Sequence, residues 1–269
     1  MRSVLFFTGV STMIVTKFGG TSMADADAIR RVAAILRADA RRKVCVVSAP
    51  GRTDTDPKIT DLLYEYNTAA VRKRFLCIID ALRLHDAVSE YLDTELSLRA
   101  ESTHLPTRLS LGERMSAYIL AQYLGWEFVD AVEVIRFESS GVAVRLPHTQ
   151  KNIVVPGFYG LDVETNTIAV FPRGGSDISG SYIAAACHAT LYENWTDVSG
   201  VYTSDPRIDA RAKSLKKLSY SELEHIGRSG SCVFHPDAIL PVANRNIPIH
   251  IKNTFAPNDP GTQVQQPSS

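Results

Sequence analysis

Short apolar runs bounded by glycine, proline and small polar residues alternate along the chain with longer stretches whose apolar positions recur every three or four residues. That alternation predicts strands and amphipathic helices in turn, and so a mostly parallel sheet covered by helices on both faces. Residues 13–18 form the first predicted strand, stopped by Gly19 and Gly20. A helix over 24–40 follows, with Ile29, Val32, Ala33 and Leu36 on one face. Residues 43–48 form the second strand and close at the turn signal Pro50-Gly51. The stretch 59–99 reads as predominantly helical, with Leu62, Leu63, Leu76, Ile79 and Leu82 available for packing. A further helix runs to about Leu124, with Met115, Ile119 and Tyr123 stepping by four. Shorter strands are predicted near 127–131, 152–156 and 167–171, then a helix over 176–189, a strand near 191–195, two more helices and a closing strand over 247–252. No internal repeat or low-complexity linker interrupts the pattern.

Composition narrows the function classes. Of 269 residues, 45% are hydrophobic and 22% charged, an ordinary globular mix. Lys plus Arg and Asp plus Glu number 29 each, so no net field draws in nucleic acid or an acidic membrane surface. The basic clusters Arg41-Arg42-Lys43 and Arg72-Lys73-Arg74 read as solvated helix faces or ends. Cys45, Cys77, Cys187 and Cys232 are far apart and form no Cys-x-x-Cys pair, which argues against a zinc site or disulfide framework and suits a reducing compartment. Cys45 and Cys187 read as small core residues. No apolar run approaches the roughly 20 residues that span a bilayer. A cytoplasmic protein is expected, with residues 1–12 as an N-terminal extension ahead of the first strand.

Candidate chemistry falls on a few turns. In Lys17-Phe18-Gly19-Gly20-Thr21-Ser22 a strand ends in two glycines before a helix, so backbone N–H groups can approach an anion, with the Lys17 ammonium close by. Taken alone the signal is weak, because Gly-Gly turns between strands and helices are common. The same arrangement returns in Arg173-Gly174-Gly175-Ser176-Asp177. There Asp177 or Ser176 suits a helix cap, whereas Arg173 beside a glycine turn suits a carboxylate or phosphate. No lysine precedes Ser181, so a Walker P-loop is excluded, and no Gly-x-Gly-x-x-Gly occurs. The polar run 195–207 after a strand reads either as a capped turn or as a purine pocket with Tyr202 inside it and Arg207 on phosphates. Glu113, near the start of the helix that carries Met115, reads as a dipole-favoured surface residue or as a carboxylate for a substrate ammonium. His235 before Pro236 reads as a satisfied loop histidine, and no histidine is spaced as a base for a Ser or Cys nucleophile.

Together and in this order, these residues resemble the aspartate kinase family within the amino-acid kinase superfamily, from Met13 to about Thr262. The motifs are Lys-Phe-Gly-Gly-Thr-Ser at 17–22, Ser-x-Gly-Glu ending at Glu113, Pro-Gly-Phe-Tyr-Gly at 156–160 and Arg-Gly-Gly-Ser-Asp at 173–177. Trp-Thr-Asp-Val at 195–198, Tyr-Thr-Ser-Asp-Pro-Arg at 202–207 and Asn-Ile-Pro-Ile-His-Ile-Lys-Asn-Thr at 246–254 complete the series.

The resemblance implies an open three-layer αβα sandwich of the carbamate kinase-like type. It implies ATP-dependent phosphorylation of the β-carboxylate of L-aspartate, a first step toward lysine, threonine and methionine. It implies ATP and Mg²⁺ as cofactors, the metal carried by the nucleotide and not by a protein cage. Lys17 would neutralise the transferring phosphoryl group, with donors from Gly19, Gly20, Thr21 and Ser22 around it. Ser48 and Thr60 would line the acceptor site, Glu113 would hold the α-ammonium and Arg173 the α-carboxylate. Gly174, Ser176 and the catalytic Asp177 would lie between acceptor and nucleotide. Thr196, Asp197, Tyr202 and Arg207 would contact ATP. The kinase domain would run over 13–262, with an acceptor lobe to about 172, a nucleotide lobe beyond it, and a tail over 263–269.

Two departures stand out. Cys232 occupies a place where relatives often carry a lysine, three residues before His235-Pro236. The paired ACT domains of many relatives are also absent from this sequence, which is expected of a short feedback-insensitive enzyme, a catalytic fragment, or a subunit regulated by another chain; a homo-oligomer is a further expectation. The alternatives are a sibling kinase acting on glutamate, N-acetylglutamate or an aspartate analogue, and a catalytically weak nucleotide- or amino-acid-binding module.

Overall fold

The alternation of side chains along β1 (Ile14–Phe18) sets the layers: Val15 and Lys17 face one side, Thr16 and Phe18 the other. The computed structural model describes residues 12–172, 174–204, 211–228 and 233–266. After β1 come α1 (Ala26–Arg37), β2 (Arg42–Val47), α2 (Ile59–Tyr64), α3 (Thr68–Ala81), α4 (Asp86–Arg99), α5 (Leu105–Leu124), β3 (Glu127–Phe128) and α6 (Ala131–Val134). Next are β4 (Ile135–Glu138), β5 (Gly141–Val144), β6 (Ile153–Pro156), β7 (Tyr159–Asp162), β8 (Thr167–Val170), α7 (Gly175–Ala186) and β9 (Leu191–Thr196). The chain closes with β10 (Val201–Tyr202), β11 (Ser214–Leu215), β12 (Lys217–Leu218), α8 (Tyr220–Arg228), α9 (Ile239–Ala243), β13 (Ile249–Asn253) and β14 (Thr262–Val264).

The main sheet has eight strands in the order β12-β14-β13-β9-β1-β2-β6-β3. From β13 to β3 every neighbouring pair is parallel, and β14 turns back against β13. On one face Phe18, Cys45, Val47, Val154 and Trp195 meet Ile29, Val32 and Leu36 of α1 and Met115 and Ile119 of α5. On the other, Val15, Val44, Val46, Tyr192, Ile249 and Ile251 meet Ile178, Ile183 and Ala184 of α7 and Val242 of α9. Two helical layers enclosing a mostly parallel sheet make the expected αβα sandwich. A central strand of such a sheet is apolar on both faces, and β1 is buried along its whole length.

The local signals explain the boundaries. The Asp25 carboxylate accepts the Ala28 N–H at 2.8 Å and so starts α1. The helical stretch 59–99 breaks into three helices, the second opened by Asn67, whose side chain accepts the Ala70 N–H at 3.2 Å. No glycine or proline marks either break, which is why the pattern reads as continuous. β3 is shorter than expected, and β4, β5, β7 and β8 form a second sheet in the order β5-β4-β7-β8, of which only β8 was expected. The boundary at 262 is corrected by β14, which pairs with both β13 and β12, so part of the expected tail belongs to the main sheet.

The basic clusters also read differently. The Arg42 guanidinium donates to both Glu193 oxygens, at 2.8 and 3.0 Å, and to the Ile35 carbonyl at 2.6 Å. Trp195 Nε1–H adds a hydrogen bond to Glu193 at 2.9 Å. Arg74 is buried and donates to the carbonyls of Ala24, Gly51 and Pro57, tying down the loop after β2. Arg42 and Arg74 thus serve the fold, whereas Arg41, Lys43, Arg72 and Lys73 are exposed as expected.

That loop meets the turn after β1 backbone to backbone. The Gly51 N–H donates to Gly20 O at 2.8 Å, and a Cβ on Gly51 would stand 2.6 Å from Gly20 C. Gly51→Ala is therefore expected to lower stability by about 2 kcal/mol through overpacking. Urea unfolding checks this, and an unchanged midpoint would show that the two turns separate at no cost.

Candidate active site

The path of the chain through the sheet locates a crevice. From β1 it moves to β2, β3 and β6 on one side, then crosses to β9, β13 and β14 on the other. Order therefore reverses between β1 and β9, and in open parallel sheets ligands bind beyond the carboxyl ends of the strands at such a switch point. Lys17 lies next to the end of β1, in register with Val46 of β2 and Asn194 of β9. It faces the α7 layer, where the glycine turn 174–175 delivers Asp177 in the first turn of the helix. The Lys17 ammonium stands 2.5 Å from Asp177 Oδ1, with side-chain exposures of 10% and 13%.

Asp177 is fixed from several sides. Asn194 Nδ2 donates to the same Oδ1 at 2.9 Å. The Tyr192 hydroxyl donates to the Asp177 carbonyl at 3.1 Å, and the Asp177 N–H donates to Gly174 O at 2.9 Å. Gly174 has φ +81, and a Cβ there would stand 2.4 Å from His235 Cδ2, so both conformation and contact call for glycine. His235 Nδ1 accepts the Asp237 N–H at 3.3 Å and caps a short turn, as expected of a loop histidine. A cleft of 580 Å³ opens here between Gly174, Asp177, Gly227, Arg228, His235 and Pro236.

The Lys17–Asp177 contact links the segments that carry the two glycine turns, though not every predicted donor points into the crevice. The Gly19 N–H donates to Trp195 O at 3.2 Å and is spent on the fold. Gly20 packs on Gly51, and the fully buried Ser22 hydroxyl bonds Thr254 Oγ1 at 2.7 Å. Thr21 is exposed, and its hydroxyl reaches Asp197 Oδ2 at 3.5 Å, which brings the turn after β1 beside the turn after β9. Thr196 Oγ1 donates to Asp197 Oδ1 at 3.2 Å. Tyr202 is half-buried on β10. Ser176 is buried against Gly157, next to the end of β6. Arg173, Arg207 and Cys232 lie outside the described residues.

On the acceptor side, Ser48 follows β2 and donates its N–H to Phe18 O at 3.1 Å. Thr60 lines a separate recess of 370 Å³ with Tyr64, Leu109, Phe158 and Phe171, more apolar than a site for a charged amino acid. Glu113 does not begin a helix: it sits well inside α5, beyond the first turn where the dipole acts. It is 7% exposed, and burial pushes its carboxyl up to about 7, partly offset by the Ala49 N–H that donates to it. Its surface-residue reading is thereby overturned. Asn194 and Tyr192 were not singled out from the sequence. The signal for Asn194 was an amide inside a strand buried on both faces, which calls for a specific partner.

Family comparisons agree with this architecture. The chain matches the amino acid kinase family model over residues 12–253 and belongs to that family. Aspartokinase 3 of Bacillus subtilis is 33% identical over 289 residues, covering 94% of this chain and 63% of that protein. The crystal structure of Clostridium acetobutylicum aspartate kinase superposes with a TM-score of 0.83 at 40% identity, over 96% of this chain and 63% of that one. Escherichia coli aspartokinase III in complex with aspartate and ADP gives a TM-score of 0.82 at 26% identity, over 96% and 65%. The chain thus spans slightly under two thirds of the length of these relatives.

The Glu113 carboxyl sets a pH dependence. Its value rises from 4.5 to about 7 on folding, so both states hold the proton below about pH 4.5, and only the folded state holds it between there and pH 7. The contribution of Glu113 to stability is therefore greatest at the acid end and declines by about 3 kcal/mol as pH rises to 7, then levels. Glu113→Gln should flatten that part of the curve and raise stability at pH 8. Urea midpoints from pH 4.5 to 8 test this; a slope that persists in the variant assigns the titration to another group.

Proposed function

We propose that this chain transfers the γ-phosphoryl group of ATP to the β-carboxylate of L-aspartate. The observation that carries the reading is the Lys17–Asp177 pair at the point where strand order reverses, with a desolvated carboxylate, Glu113, in the helix that flanks the acceptor side. Kinship with aspartate kinases, one of them described with aspartate and ADP, supports it.

An aspartate carboxylate oxygen attacks the γ-phosphorus in line. The new O–P bond forms as the bond to the β,γ-bridging oxygen breaks, that oxygen takes the electron pair, and ADP leaves. No enzyme nucleophile and no proton are required, so positioning and charge neutralisation supply the rate. Lys17 meets the charge spread over the transferring oxygens, and Asp177 holds its ammonium in place beforehand. Glu113 receives the substrate α-ammonium, for which a free amino acid is needed and an acetylated nitrogen gains nothing. Ser48, Gly174 and Ser176 belong to the acceptor side, where Arg173 takes the α-carboxylate. Thr21, Thr196, Asp197, Tyr202 and Arg207 belong to the nucleotide side, as Gly20 does through its backbone. A Mg²⁺ ion carried on the nucleotide phosphates would neutralise charge there.

With ATP, Mg²⁺ and hydroxylamine, aspartate should yield the hydroxamate and glutamate should not. Lys17→Ala should cut turnover by about 10²–10³, the scale of losing one preorganised charge-stabilising donor. Product from glutamate alone would reassign the substrate, and full turnover by the lysine variant would reduce Lys17 to a strand residue.

A further inference from the structure

We propose that Asn194 is a positioning residue for this phosphoryl transfer, holding the Asp177 carboxylate from the sheet side while Lys17 turns from it toward the transferring phosphoryl group. The inference rests on the kinase reading above.

Asn194 is fully buried at the centre of β9, opposite Lys17 in β1 and Ile251 in β13. Its neighbours on that face, Tyr192, Val15 and Ile251, belong to the apolar core, so an amide there is costly unless it is used. Half of it is used: Nδ2 donates to Asp177 Oδ1 at 2.9 Å. The orientation of the amide is settled by chemistry, because only its nitrogen can donate to a carboxylate. The other half, Oδ1, is buried without a hydrogen-bond partner. A strand retaining an orphaned acceptor for the sake of one hydrogen bond to Asp177 is arranged around that carboxylate and not around core packing.

The geometry also says when the bond matters. Lys17 and Asn194 share one oxygen, Oδ1, and among the described residues no hydrogen bond reaches Oδ2. When the ammonium is drawn to an incoming triphosphate, Oδ1 loses its charged partner. Asn194 then remains as the side-chain donor, while the Tyr192 hydroxyl keeps the main chain of Asp177 fixed. A carboxylate so held keeps its direction and its charge, and Lys17 pivots against a fixed counter-ion. The titratable groups around it are Lys17 on β1, Tyr192 on β9, and Arg228, His235 and Asp237 across the cleft.

Asn194→Leu keeps the size and removes both the donor and the orphaned acceptor. Its urea midpoint should stay level or rise, since the orphan is gone, while kcat falls about tenfold, the scale of one hydrogen bond to a charged group. The KM values for ATP and aspartate should stay within about twofold, and the carbon-13 chemical shift of the Asp177 carboxyl, read at one fixed pH in the substrate-free protein, should move because the Asn194 donor at 2.9 Å is lost. An unmoved carboxyl signal, or a raised KM with unchanged kcat, overturns the proposal. Should the leucine variant not fold, Asn194→Ser, shorter and still polar, is read by the same carboxyl signal and the same kcat, with the same expected changes. The two readings fail separately: no hydroxamate from the unaltered protein with any acid removes the reaction, whereas an unmoved Asp177 carboxyl signal removes the clamp.

Discussion

An ammonium and a carboxylate held 2.5 Å apart with about a tenth of each side chain exposed have given up most of their hydration. Withdrawing ions from water costs on the order of several kcal/mol each, and a hydrophobic pair of the same size often leaves a protein as stable or more so. Lys17 and Asp177 are therefore poorly explained as a stabilising contact. They are well explained as a charged device kept dry, because a dry charge acts strongly on a phosphoryl group entering the same crevice. Much of the remaining structure consists of arrangements that make the pair tolerable: a second donor on Asp177, a helix start that directs it inward, and a sheet that places Lys17 beneath it.

The opposite face of the sheet shows how rigidly this is done. Arg42, Glu193 and Trp195 form a bonded cluster there, Trp195 stacks on Phe18 with ring centroids 5.8 Å apart, and the Trp195 carbonyl takes the Gly19 N–H. The exits of β1 and β9 are thereby joined one residue beyond Lys17 and Asn194. Gly20 against Gly51 joins the exits of β1 and β2 in the same way. Glycines that read as phosphate donors thus serve first to bring strand ends together, and the crevice is the space those joints leave.

The layers were legible because period and burial agree: apolar runs became central strands, and the 3.6-residue stripes of α1 and α5 became their cover. The second sheet was not, since β4 carries Arg136 and Glu138, β5 is four residues long, and neither has the apolar run of a buried strand. Lys17, Asp177 and the two glycine turns could be picked out by residue type. Side-chain direction could not: Ser22 points into the protein toward Thr254, two hundred residues away in order but adjacent in space. The misreading of Glu113 has a related cause, because Ser110 and Gly112 resemble the approach to a helix while in fact lying inside α5.

The two buried carboxylates differ in a way that separates their tasks. Asp177 already has an ammonium and an amide, so it is a fixed anion whose effect is exerted through Lys17. Glu113 has a backbone N–H, and among the described residues no cation pairs with it, which is why burial dominates and its carboxyl rises to about 7. A carboxyl in that condition binds a proton more readily than an ordinary glutamate, and under the proposed function the cation that takes the proton's place, just past β2 beside Ala49, is the substrate's ammonium. Binding an ammonium there would expel the proton and recover the Coulombic attraction that the empty site lacks. Under the proposed function, the charge for the phosphoryl group is in place in advance, and the charge for the amino group is completed by the substrate.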